Sequence, residues 1–418
     1  VKIKKNHKEM TLFIESDKLC EELTLTYDAR IIKKYSKELQ DIVMDIAVKN
    51  KDIEEDSRRN KRTKENYTLI SLINNLNNFE KLPKADFISG PTSIIKYNKG
   101  SKNIYLFGEK HEDKNCSDYN IKTNVHIIDY LIKLFTYTPV FIDFYVEFEL
   151  MFDKVPPISP NSGQTLHRML DKMSGCFGEF SNRNCPYNVR MHSVDIRMLY
   201  GERAKIYNEE IYGLMSDLNM INIIKNRGSG KKDGVIVTEW MSYDEFMSKY
   251  KDIVDKLCCV SMHKIVVDII KKNSLFQKVI KKSELNTTEI IRFFVVKSLT
   301  TFKNKGCDFT SINKWFQQLK SSDKFPEYIE LVSVCIIVIV ACLMDIYTTL
   351  RMFKKFKIKK DEHYPSDQNN IIYYAGDGHT IQIARFLEKI GFERKESSIS
   401  DMISCLNMKN IKQPLFSE

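Results

Sequence analysis

The spacing of apolar residues changes character several times along this chain, and each change predicts a different kind of element. Through about residue 85, apolar positions recur at helical intervals among charges, as at Leu69, Leu72, Ile73 and Leu76, which predicts an N-terminal helical accessory region over 1–85. From Gly90-Pro91 onward the period shortens. Thr92 to Tyr97 and Asn103 to Phe107 read as strands, and Asn98-Lys99-Gly100-Ser101 between them is a hairpin turn signal. A helix over about Val125 to Thr136 then leads into Pro139 to Glu149, and strand, helix, strand in that order predicts a parallel crossover. Within this last segment Ile142, Phe144, Val146 and Phe148 fall on one face, and Asp143, Tyr145, Glu147 and Glu149 on the other. Such a polar face is either solvated or lines a pocket at the end of an interior strand.

Asn226 to Gly234 is rich in glycine and charge and reads as a linker or surface loop without the spacing of a phosphate-binding loop. From about Tyr243 to Phe356 the pattern is helix after helix. Strand character returns at Ile371 to Ala375, followed by Gly-Asp-Gly-His, by Ile381, Ala384, Phe386, Leu387 and Ile390 at helical spacing, and by Gly391 as a stop. The predicted fold class is α/β: a central parallel or mixed sheet with flanking helices, an N-terminal helical region and a large helical insertion. The expected divisions are 1–85, 86–225, 226–365 for linker and insertion, and 366–418 for the closing strand and helix.

Against that outline one short pattern stands out because it occurs twice. A strand-like run ends in Gly108-Glu109-Lys110-His111, and another in Gly376-Asp377-Gly378-His379. Each sets a histidine and an acid where a strand ends, which is where α/β folds keep their chemistry. Two imidazoles flanked by carboxylates can hold a divalent metal or poise a water. His379 would stand at a helix N-terminus, whose dipole disfavours imidazolium, so its ring is expected neutral and able to ligate a metal or act as a base. In Asn188 to Arg197, period two puts Asp195 and Arg197 on one side, either as a simple ion pair or as groups that orient a histidine or hold an anion. Asp377 lies in a glycine turn, where an acid often only bonds backbone amides.

Composition narrows the partners. The 418 residues are 43% hydrophobic and 29% charged, as in an ordinary folded protein, with a net charge of +10. The excess is dispersed apart from Arg58-Arg59-Asn60-Lys61-Arg62-Thr63-Lys64, which reads as a solvated face and argues against a nucleic-acid partner. No signal-peptide pattern follows Val1, so an intracellular setting is expected. Ten cysteines without a CxxC pair do not make a zinc ribbon, and Cys258, Cys259, Cys335 and Cys342 sit in apolar runs as buried thiols. Cys176 and Cys185 flank a loop short enough to close with a disulfide, although a reducing cytosol would leave them as thiols. Leu331 to Met344 is apolar throughout but falls short of the about twenty residues a bilayer needs, so it reads as a core helix and argues against a membrane partner.

On GEKH at 108–111, the strand with Tyr145-Val146-Glu147, the Asp195/Arg197 strand end and YYAGDGHTIQIARFLEKIGF at 373–392, the chain resembles the superfamily that joins erythromycin-esterase-like and ChaN-like proteins to the TraB/Tiki group. VRMHSVDIR, with CPYNV before it, and MDIYTTLRMF at 344–353 look like a branch found in large DNA viruses. Resemblance to Tiki-like members implies a peptidase dependent on a divalent metal (Mn, Co or Zn), held by His111, His379 and an acid, Glu109 or Glu147. Resemblance to esterase-like members implies a metal-free site with His111 as base and Glu109 or Glu147 as its partner. ChaN-like members bind haem through surface residues not matched in this chain.

The expected function is thus hydrolysis of an ester or peptide substrate. Glu109, His111, Glu147 and His379 would form the site, with His111, Glu147 and His379 as metal ligands. Asp195 and Arg197 would orient it and bind developing negative charge. The alternative is a non-catalytic viral structural or interaction protein on an inherited scaffold, virion-associated, with a virion or host protein as partner.

Overall fold

The computed structural model describes residues 2–6, 9–13, 82–110, 114–138, 140–149, 169, 189–196, 230–232, 235–237, 242–250, 262–304, 325–356 and 365–416. In chain order its strands and helices begin with β1 (Lys2–Asn6), β2 (Glu9–Phe13), β3 (Phe87–Ser89), β4 (Ser93–Lys99), β5 (Lys102–Glu109) and β6 (Val125–His126). They continue with α1 (Ile127–Tyr137), β7 (Ile142–Glu149), β8 (Val189–Asp195), β9 (Gly230–Lys232), β10 (Val235–Val237), α2 (Met262–Lys272), α3 (Ser274–Ile280), α4 (Thr287–Asn304) and α5 (Phe325–Met352). The last are β11 (Asn370–Gly376), α6 (Asp377–Lys389), β12 (Glu393–Ile399) and β13 (Cys405–Asn407). The chain divides into two compact units, one of Val1–Phe148, Val155–Ser193 and Lys355–Glu418, the other of Glu149–Lys154 and Val194–Lys354.

The first unit is built on a six-stranded mixed sheet in the order β12-β4-β5-β11-β7-β8. The expected hairpin forms: β4 and β5 pair antiparallel and turn at Gly100-Ser101, with Gly100 at φ +58°, a left-handed angle that favours glycine. The crossover from β5 through α1 to β7 is parallel but does not join neighbours. β11 lies between β5 and β7 and is parallel to both.

Register fixes the two faces of this sheet. Gly108 pairs with Ala375, Tyr373 with Tyr145 and Ser93 with Gly108, so these residues and Glu147 share one face. Phe107, Glu109, Tyr374 and Val146 share the other. α6 covers the first face, where the Tyr97 hydroxyl donates to Glu388 at 2.7 Å. α1 covers the second, where Phe135 meets Phe144 with ring centroids 5.1 Å apart. A three-layer α/β arrangement results, and Tyr105, Phe107, Phe144, Tyr145, Tyr373 and Tyr374 are all at 0–1% exposure between its layers. Each aliphatic or Phe-sized side chain so buried contributes roughly 1.5–3 kcal/mol. On the second face buried Lys96 is paired with Glu396 at 2.9 Å, beside Tyr105, whose phenol burial pushes up to about 12.

A small sheet, β13-β3-β6, stands beside the large one. There Cys116 and Cys405 form a disulfide between positions 289 apart in sequence, each half at 0% exposure. Its partners lack the spacing that draws attention to a cysteine pair. Cys176 and Cys185 lie outside the described residues, as does the basic cluster at 58–64.

At the start of the region expected to be helical over 1–85, the described residues are strands. Lys2–Asn6 and Glu9–Phe13 pair as an antiparallel hairpin, Lys2 opposite Phe13. The reason is local: Glu-Met-Thr-Leu-Phe combines alternation with β-prone Thr and Phe, and the helical spacing seen at Leu69 to Leu76 does not extend back to it. Residues 14–81 lie outside the described residues.

In the second unit, β9, inside the glycine-rich stretch that reads as a loop, pairs antiparallel with β10, which follows that stretch. α5 packs on α2, α3 and α4, with Tyr347 edge-on to Phe276 at 5.7 Å. It is longer than its apolar run because Asp345, Thr348 and Thr349 continue the helix and are buried with it. Among the described residues one helix is long and apolar enough to cross a membrane, this one, and 78% of its Cys335–Met352 window is buried inside the protein. Burial pushes the Cys342 thiol up, and nearby Asp345 adds to the effect.

Candidate active site at the strand ends

β11 passes into α6 without a loop. Gly376 is both the last residue of the strand and the N-cap of the helix, so Asp377 opens the first helical turn and His379 stands two positions further on. The Asp377 carboxylate is fastened to the hairpin. Thr92 Oγ1 donates to Oδ2 at 2.8 Å and Ser93 Oγ to Oδ1 at 3.2 Å. This fastening explains the glycine of the other motif, since a Cβ at Gly108 would lie 2.1 Å from Asp377 Oδ1 and 2.5 Å from Ser93 Oγ. The first Gly-x-x-His therefore needs its glycine because the second carries an acid.

Glu147, at the same end of β7, has its two oxygens divided between two partners. Oε2 accepts the backbone N–H of Gly376 at 2.7 Å, and Oε1 lies 3.5 Å from His379 Nε2. The Glu147 side chain is 2% exposed and that of His379 12%, so the carboxylate is sealed while the ring keeps an opening. A carboxylate facing Nε2 favours the tautomer protonated there.

The remaining expected residues distribute differently. Glu109 is on the opposite face of the sheet, 2% exposed, and accepts from the Tyr374 hydroxyl. Of the two acids expected to serve a histidine, Glu147 is the one that meets His379. His111 and Arg197 lie outside the described residues, and Asp195 is the buried last residue of β8. The donors of His379 and Glu147 suit a Mn-, Co- or Zn-type ion. Among the described residues no group of three His, Cys, Asp or Glu could hold a metal ion, and the third expected ligand, His111, is not one of them.

A second polar cluster occupies the same face of β7 at the other end of the strand. Asp143 Oδ1 and Oδ2 accept from Arg190 Nε and Nη2 at 2.6 and 3.1 Å, and His192 Nε2 lies 2.8 Å from Oδ1. Burial works against the Asp143 charge, but His192 and Arg190 outweigh it and hold this carboxyl below its usual range. His192 is stacked between Tyr145 and Phe356, with centroids 4.2 and 5.3 Å away. Arg190 lies over Phe356 at 3.8 Å and donates to the Pro365 carbonyl at 3.1 Å, while the Tyr145 hydroxyl donates to Gln368. The sequence signal for this cluster was the alternation in Arg190-Met191-His192, in the same strand from which Asp195 and Arg197 drew attention. The alternating face of β7 is thus interior along Asp143, Tyr145 and Glu147 rather than solvated.

Searches against protein-family models, curated proteins and solved structures find no match for this chain.

Proposed function

We propose that this protein hydrolyses ester or peptide bonds, with His379 as general base and Glu147 as the carboxylate that orients and supports it. The observation that carries this reading is the division of Glu147 between the Gly376 N–H and His379 Nε2. In this scheme His379 Nδ1 takes a proton from water as the water attacks the substrate carbonyl. Glu147 stabilises the imidazolium so formed, and the proton then passes to the leaving oxygen or nitrogen. Where a divalent ion is used, His111, Glu147 and His379 are the residues that would hold it, and the ion would supply an activated water. The resemblance to esterase-like and Tiki-like proteins supports a histidine-and-glutamate hydrolytic site that includes Glu147, although the esterase-like members would make His111 the base.

The test is turnover of aryl esters and of a peptide library, with and without added Mn, Co or Zn, alongside elemental analysis of the purified protein. Glu147→Gln and His379→Gln are expected to lower kcat/KM by roughly 10²–10⁴-fold, the usual worth of a positioned base. Unchanged rates in both variants overturn the assignment.

One observation favours a second reading, a non-catalytic interaction protein on the same scaffold with a virion or host protein partner. Glu109 and Glu147 are both buried and already hydrogen-bonded, to Tyr374 and Gly376. On this reading the wild type turns over none of these substrates, and Glu147→Gln lowers stability alone.

A further inference from the structure

We propose that Asp377 is a positioning residue, the clamp that aims His379 at Glu147, and that Gly108 exists to admit it. This inference rests on the reading of His379 given above but concerns a residue which that reading does not use. A helix that follows a strand directly, with a glycine as N-cap and no side-chain cap bond, has a first turn free to swing. Here the first turn is tied down from outside the helix. Thr92 and Ser93 reach Asp377 from the β4 end of the hairpin, at 2.8 and 3.2 Å.

The tie is specific in each part. The Thr92 hydroxyl also lies 3.2 Å from the Gly108 carbonyl, but that carbonyl already accepts the Thr92 N–H at 2.8 Å, so the one hydroxyl proton belongs with the nearer carboxylate. Thr380 Oγ1 donates back to the Asp377 carbonyl at 3.1 Å, so the residue after His379 closes the turn from within. The carboxylate sits over Gly108, where an added Cβ would collide at 2.1 Å with Oδ1, at 2.5 Å with Ser93 Oγ and at 2.9 Å with Thr380 Oγ1. All three of these nearest contacts belong to the clamp and the helical turn it closes. The clamp acts on the histidine through the helix that carries it.

The experiment pairs a turnover assay with a spectroscopic one that needs no substrate. Protein labelled with 15N at its eight histidines gives imidazole resonances, and His379→Gln identifies the one of interest. In wild type that ring should show one fixed tautomer. Asp377→Ala and the double variant Thr92→Val/Ser93→Ala should both shift its nitrogens toward the averaged values of a mobile imidazole. Asp377→Asn, which keeps one acceptor, should shift them less. Gly108→Ala should act like Asp377→Ala, and the two changes together should shift the ring little more than either alone. On turnover the same variants should lower kcat at least tenfold with KM within about threefold, as expected of misalignment by an ångström or less. A His379 resonance unmoved in Asp377→Ala and in Thr92→Val/Ser93→Ala overturns the proposal even if Gly108→Ala fails to fold. If wild type turns over nothing while the resonance moves as described, the hydrolase reading fails and the clamp stands.

Discussion

The Cys116–Cys405 disulfide allows a prediction whose size follows from the fold. Its halves are 289 positions apart, and in the chain-entropy treatment closing so long a loop in the unfolded state stabilises the folded one by about 5–6 kcal/mol at 25 °C. Most of that value should be realised, because contacts that hold the segment in the folded state without the bond leave the unfolded-state entropy difference intact. Both half-cystines are already held beside β3, the Cys116 N–H donating to Ser89 Oγ at 3.0 Å and Cys405 pairing opposite Ser89 between β13 and β3, so the reduced protein keeps the segment roughly in place. The perturbation is Cys116→Ala/Cys405→Ala, compared with oxidised wild type by scanning calorimetry at fixed protein concentration. At about 2–4 °C per kcal/mol for a unit of this size, the expected drop in Tm is on the order of 10 °C. Peptide mapping after thiol blocking should recover the Cys116 and Cys405 peptides joined. Recovery of both as blocked free thiols from protein kept oxidised, or a Tm change under 2 °C, would refute the reasoning. A positive result also bears on setting, because a buried disulfide of this kind persists where thiols are not continually reduced.

Two further predictions concern Asp143. Asp143→Asn leaves the Arg190 guanidinium and His192 facing a neutral amide in a buried site, which should cost roughly 3 kcal/mol, visible as a lowered urea midpoint; a loss under 1 kcal/mol would mean that solvent compensates the arginine. The same carboxyl is held below its ordinary value of 3.8 in the folded protein. Its contribution is therefore complete above the unfolded value and is lost as pH falls from about 4 through the lower folded value. Urea unfolding at pH 5 and pH 3 should show wild type losing more stability over that interval than Asp143→Asn, and equal losses would count against the ion pair.

What could be read from the sequence depended on whether the deciding contact was local. The β4–β5 hairpin and the β11–α6 unit were legible, because two-residue periodicity, Gly100 at the turn and the Gly-Asp-Gly-His stop all lie within a few residues of what they control. Which acid meets His379 was not. Glu109 ends β5 and Glu147 lies two residues before the end of β7, and the choice between them rests on the parity of their pairing with β11, which neither strand encodes by itself. The Asp143 cluster was half legible: the polar face of β7 was evident, but its partners come from β8 and from the segment around Pro365 and Gln368. The Cys116–Cys405 bond had no local signal at all. In α5 the apolar run Leu331 to Met344 predicts a shorter helix, whereas Asp345 beyond it is a buried residue within the helix.

The place of β11 also sets a clock. β5 and β7 are made early, and the strand that must lie between them comes roughly 220 residues after β7, so at ~5–20 residues per second the two wait about 10–45 s for their shared neighbour. During that interval each presents an unsatisfied edge of backbone amides and carbonyls to the surrounding cell. Until its own β11 arrives, those open edges are where a nascent chain is most exposed to pairing with another chain. Faithful assembly therefore depends on translation speed, and on any holdase that keeps the two open edges covered until the closing strand leaves the ribosome.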